Sequence, residues 1–205
     1  HNAPLSLDDL SKHRPEWVSP LHQDFGAYQL HEIPPNGQGI MALIALAIVN
    51  RCAIHKYPID SADSIHLQVE AIRCAYGVIE RHLADPDYMK LSNAELLDPV
   101  QIEAHYRQID LHYTAGAGHG LGASPDTVYL TTADADGMMV SFIQSNYRGF
   151  GSGIVIPGTG ISMQNRGSGF VLEKGHPNQV GGGKRPYHTI IPAFVTCANK
   201  PALSF

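Results

Sequence analysis

The segment GIMALIALAIV, from Gly39 to Val49, is apolar on every side. A helix built from it has no polar face to turn toward water, so it belongs in a bilayer or at the centre of a core. Crossing a bilayer takes about 20 such residues, and Asn50 and Arg51 close this run early. The chain is therefore expected to fold around a buried helix at Gly39–Val49, with no membrane span. Just upstream, AYQLHEI alternates as a half-buried strand does until Pro34-Pro35 stops it.

Most of the first half reads as helical. LSLDDLSKH carries acidic residues near its start, and SADSIHLQVEAIRCAYGVIERHLADP sets Ile65, Val69, Ile72, Tyr76 and Ile79 on one face before Pro86 ends it. A third helix is expected from about Pro99 to Ile109. AGAGHGLGAS then has no apolar periodicity, and from Thr127 onward the texture is short strands and glycine-rich turns. VYLTTA and MMVSFIQS flank Asp136-Gly137, a strong hairpin signal. The whole is an α+β chain.

Composition excludes several function classes. With 43% hydrophobic and 16% charged residues, the 205-residue chain can bury a core and is not disordered. A net charge of -5 and the lack of a Lys/Arg stripe argue against a nucleic-acid partner. Cys52, Cys74 and Cys197 are odd in number and widely spaced, so they read as buried or incidental thiols. The twelve histidines form no HExxH, HxH or Cys/His pattern, and no metal is expected. GHGLGA, Gly118 to Ala123, has neither the strand before it nor the helix after it that a dinucleotide site needs. GGGK, Gly181 to Lys184, has Asn178 and Arg185 where a phosphate loop needs Gly and Ser or Thr. No GxSxG elbow is present, and no cofactor is called for.

Thr127 remains, at the start of a strand directly after Asp126. The local pattern by itself favours an ordinary loop-to-strand junction, since threonine suits strands. Another chemistry fits the same position. A threonine made N-terminal by cleavage carries its own base, the free α-amine, and the glycine-rich loop before it could bend its hydroxyl onto the preceding carbonyl.

LSLDDLSKHRPEWVSPLHQDFGAYQLHEIPPNGQGI, DTVYLTTADADG, QSNYRGFGSGIVIPGTGISMQNRG and GGGKRPYHTIIPAF together resemble the γ-glutamyltranspeptidase family of N-terminal-nucleophile hydrolases. The QSNYRGFGSG form is similar to its transpeptidase-like and cephalosporin-acylase branch. The resemblance implies an αββα four-layer sandwich, incomplete in this chain. It also implies one precursor that cuts itself into two subunits, which then pair. Residues 1–126 would be the C-terminal part of the large-subunit region, mainly helical, and 127–205 the N-terminal part of the small-subunit region, mainly β.

By the same resemblance Thr127 is the nucleophile, Asp126 precedes the cut, and Ser145 stands on a second threonine whose hydroxyl supports the nucleophile. Substrate positions fall on Tyr147, Asn165, Arg166, His188 and Thr189. Relatives hold a glutamyl ammonium with Asn and Asp where this chain has Tyr147 and Gly169, so preference for γ-glutamyl over glutaryl amides should narrow and Gly169→Asp should restore it. His188 also reads as an exposed turn histidine, and Tyr147 and Phe150 as core aromatics. The family's oxyanion glycines fall downstream of Phe205 and its substrate arginine upstream of His1, so this chain alone is expected to be inactive.

The function implied is a self-processing amidohydrolase or acyltransferase acting on a small-molecule amide or peptide, with a homo-oligomer possible. The alternative is a non-catalytic relative serving as a binding or structural module. Compartment is left open.

Overall fold

The structure, a computed structural model, describes residues 5–114 and 127–205. Helix α1 (Leu7–Lys12) starts at Ser6, whose side chain accepts from the Asp9 N–H while Asp9 reaches back, a reciprocal cap. Strand β1 (Leu21–Phe25) turns through Gly26 into β2 (Tyr28–Glu32), and the two pair antiparallel from Leu21↔Glu32 to Phe25↔Tyr28. Helix α2 (Gly39–Arg51) is the apolar run, with Ile40, Leu43, Ile44 and Ile48 fully buried. Gly39 is required by close packing: a Cβ there would lie 2.6 Å from Glu32 Oε2.

Helix α3 (Ala62–His82) is capped by Ser61, which accepts from the Ser64 N–H, and packs along α2. Its buried face differs from the expected one. Leu67, Ala71, Ala75 and Val78 face the core beside Ile79, whereas Ile65, Val69 and Ile72 are 50%, 47% and 42% exposed. The reason is volume. Because α2 already presents Ile, Leu and Met, its neighbour approaches through small alanines, a stripe that counting large apolar residues overlooks. Two short helices follow, α4 (Asn93–Leu96) and α5 (Pro99–Tyr106), the latter ending one turn sooner than expected.

Strands β3 (Thr127–Ala133) and β4 (Met139–Ser145) form the expected hairpin. Asp134 Oδ1 accepts from the Asp136 and Met138 amides, and Gly137 takes the left-handed φ of +86° that closes the turn. Strands β5 (Phe194–Cys197) and β6 (Lys200–Ser204) complete a four-stranded antiparallel sheet ordered β1-β2-β5-β6. Leu30 pairs with Val195 in it, so one sheet joins both halves of the chain. A second tie is the buried Asp85 carboxylate, which accepts from the Arg185 N–H at 2.7 Å. Among the described residues no helix is long and apolar enough to cross a membrane.

Candidate active site

The hairpin register sets the site's geometry. Thr127, first in β3, lies directly across from Ser145, last in β4. Thr127 Oγ1 donates to Ser145 Oγ at 3.0 Å, and the Tyr147 N–H donates to the same oxygen at 2.9 Å. Two donors converging on Ser145 fix its hydroxyl. The Thr127 proton then points along one line, leaving the Thr127 lone pairs free.

Past β4 the chain turns sharply, with Tyr147 at a φ of +76°. Asn165 holds this turn: its Oδ1 accepts from the Arg148 N–H at 3.1 Å and its Nδ2 donates to Gly151 O at 3.1 Å. The Asn165 amide is thus engaged by loop backbone. Gly151 has a φ of +69°, and a Cβ there would sit 2.4 Å from Met163 O, so a larger residue cannot close the loop.

Arg166 lies beneath the turn, 3% exposed. Its guanidinium carbon is 3.9 Å from the centre of the Tyr147 ring, and Nη2 donates to Thr189 Oγ1 at 3.0 Å. Nη1 is buried without a partner. Burial lowers the Arg166 pKa, and Tyr147 and Tyr187 push it back up; a guanidinium stays charged regardless.

His188 is half-buried, not an exposed turn residue, and its backbone bridges Asn36 and Gln38 through hydrogen bonds of 3.0 and 2.8 Å. Burial first, and the Arg166 charge second, press its pKa down to about 4, so its ring is neutral at physiological pH. Phe150, expected as a core aromatic, is 89% exposed. A Cβ on Gly169 would meet Tyr187 O at 3.1 Å, so Gly169→Asp requires that carbonyl to give way.

Thr127, Ser145, Tyr147, Arg166 and Thr189 therefore form one connected set, with His188 next to Thr189 in the chain. Asp126 and the GHGLGA loop lie outside the described residues. A cleft of about 600 Å³ is lined by His188 together with Arg14, Asn36, Asp85 and Arg185, and neither Thr127 nor Ser145 lines it. Among the described residues no cluster of three or more His, Cys, Asp or Glu is placed to hold a metal. Sequence reasoning missed Gln38 and Tyr187, whose side chains hydrogen-bond where α2 begins, beside the His188 bridge.

The sequence profile of Gamma-glutamyltranspeptidase matches residues 1–205. The chain belongs to the γ-glutamyltranspeptidase family. Within it, the chain is 34% identical over 203 residues to the glutathione hydrolase-like YwrD proenzyme of Bacillus subtilis, covering 98% of this chain and 38% of that protein. It is 36% identical over 190 residues to the oxamate amidohydrolase proenzyme of Klebsiella pneumoniae, covering 93% and 35%. The crystal structure of cephalosporin acylase from Bacillus halodurans superposes with a TM-score of 0.83 at 43% identity, over 98% of this chain and 36% of that one. The chain thus spans well under half the length of these relatives. Its α+β architecture with antiparallel sheets is similar to that of the acylase.

Proposed function

We propose that the full-length protein is a self-processing amidohydrolase or acyltransferase of small-molecule amides, with Thr127 as nucleophile. The observation that carries this is the 3.0 Å bond from Thr127 Oγ1 to Ser145 Oγ at the first residue of a strand. In the first step Oγ1 attacks the Asp126 carbonyl carbon and the peptide C–N bond breaks, which makes an ester and frees the Thr127 amine. Water then hydrolyses the ester, leaving an Asp126 carboxylate and a threonine whose own amine is its base. On substrate the same oxygen takes the acyl group, the amine leaves with the proton, and water or a second amine releases the acyl group.

Processing at this bond would make 1–126 and 127–205 parts of two subunits. Their pairing has support in the β2–β5 ladder and the Asp85–Arg185 contact, which a cut at Thr127 leaves unbroken. A four-layer αββα sandwich is the fold we assign to the whole protein. The exposed stripe of Ile65, Val69 and Ile72, and Val128, Leu130, Val140 and Phe142 on the β3–β4 hairpin, are apolar surfaces for further layers to cover.

The acyl group is of γ-glutamyl or glutaryl type. The relatives named as acylase and oxamate amidohydrolase proenzymes support an amide bond as the target, while Gly169 and Tyr147 offer no carboxylate for an ammonium. Asn165, as positioned, serves the pocket by bracing its wall.

Ser145→Ala tests the arrangement. Losing one hydrogen bond to the nucleophile is expected to cost about 1 kcal/mol, or roughly fivefold to tenfold in kcat, with KM unchanged. Ser145→Thr keeps the hydroxyl and should restore the rate. Steady-state kinetics on the processed full-length enzyme check this, and an Ala variant with unaltered kcat would remove Ser145 from the mechanism.

A further inference from the structure

The segment that carries Thr189 belongs to the half of the chain after Thr127, yet residues of the half before it hold it in place. Asn36 Nδ2 donates to Pro186 O at 2.7 Å, the His188 N–H donates to Asn36 O at 3.0 Å, and the Gln38 N–H donates to His188 O at 2.8 Å. Gly37 and His188 thereby form a parallel bridge. Gln38 adds a side-chain contact. It directly precedes α2, but among the described residues its side chain makes no capping bond to that helix. Buried, it accepts from the Tyr187 hydroxyl instead. At its backbone Tyr187 is held by the buried Asn178, which accepts from the Tyr187 N–H at 3.0 Å and donates to Gly169 O at 2.7 Å. Tyr187 is thus fixed at both ends, two residues before the threonine that takes Arg166 Nη2. From there the contacts run through the Arg166–Tyr147 stack and the Tyr147 N–H to Ser145 and Thr127.

We propose that Gln38 is a positioning residue for the substrate pocket: it acts through the Tyr187 hydroxyl and the His188 carbonyl, which together set where Thr189 stands. This deepens the amidohydrolase reading and rests on it. A cut before Thr127 would leave Gln38 and Tyr187 on different polypeptides, so their bond fixes the register of one against the other. A pocket wall carried by one of them depends on that register, because small displacements of positioning groups are costly. The Thr127–Ser145 pair is set within the hairpin and the turn that follows it, so the cut itself does not pass through Gln38. Substrate binding does. Losing the bond displaces a wall that meets substrate alike before and during reaction, which raises KM and spares kcat.

The test is steady-state kinetics with glutaryl and γ-glutamyl anilides on full-length Gln38→Leu, Tyr187→Phe and the double variant, with intact mass to follow the cut and urea unfolding to measure stability. Each single variant leaves one buried partner of the bond orphaned and should raise KM about fivefold to tenfold, with kcat within about twofold and the chain still cut. The double variant removes both partners and should match a single variant, where independent effects would multiply to about 25-fold to 100-fold. A merely structural bond would lower the urea midpoint and leave KM at the wild-type value. That result, a loss confined to kcat, or effects that multiply would overturn the inference. Should Gln38→Leu fail to fold, Tyr187→Phe decides, because it deletes a single oxygen: a raised KM upholds the inference and an unchanged KM overturns it. Wild type that is cut yet turns over neither anilide would refute the amidohydrolase reading and this inference with it. Turnover with KM indifferent to both residues would refute this inference alone.

Discussion

Full-length protein carrying Thr127→Ala is expected to run as one uncut chain and to hydrolyse no amide. Both losses have a single cause. The hydroxyl that attacks the Asp126 carbonyl in processing is the one that attacks substrate afterward, and the amine serving as base does not exist until the first attack has succeeded. Removing the nucleophile from a serine protease with a catalytic triad lowers kcat on the order of 10⁶-fold, and here the precursor also stays blocked. Thr127→Ser keeps the oxygen and should still process. Intact-mass measurement separates the outcomes, because cleavage before Thr127 leaves two polypeptides whose masses sum to the precursor plus one water. A wild type that stays whole yet hydrolyses amides would sink the mechanism, and an Ala variant that still cuts would move the nucleophile elsewhere.

The pairing on which that prediction depends was within reach of the sequence. Asp136-Gly137 marks the turn, Thr127 and Ser145 are equidistant from Asp136, and antiparallel pairing then sets them face to face. The α2 helix was legible for a similar reason, since a segment apolar all round and too short to cross a bilayer belongs at the centre of a core. The face of α3 was not legible. Periodicity finds a stripe but not which of two stripes packs, and Ala71 and Ala75 prevail through their small volume. Strand β1, with Leu21 and Phe25 as its only large apolar side chains, shows too little pattern to stand out; its partner β2 holds it in the sheet. Arg166, Tyr147 and Thr189 come together only through the turn after β4 and the contacts of the last third of the chain, which no local signal encodes.

Between about pH 5 and about pH 8 two buried groups, Glu32 and His188, are expected to pull the stability of the protein in opposite directions. Glu32, 2% exposed and with Oε2 unpartnered against Gly39, is raised by burial from 4.5 to about 7. The folded state therefore holds a proton on Glu32 that the unfolded state has lost. Its stabilisation is full below 4.5 and disappears as pH rises through 7. His188 is lowered from 6.5 to about 4, by burial and then by Arg166, so here the unfolded state binds the extra proton. Its stabilisation is full above 6.5 and is lost as pH falls toward 4. At 1.36 kcal/mol per pKa unit, each group contributes on the order of 2 kcal/mol across this range, with opposite sign. Single substitutions should expose the hidden slopes. Relative to the wild type, Glu32→Gln removes a contribution that falls with pH, so that variant should gain about 2 kcal/mol as pH rises from about 5 to about 8. Relative to the wild type, His188→Gln removes a contribution that rises with pH and should lose a similar amount over the same rise. Urea unfolding of the full-length protein at about pH 5, 6.5 and 8 measures all three curves, and variants that track the wild type in parallel would show that neither side chain changes its proton affinity on folding.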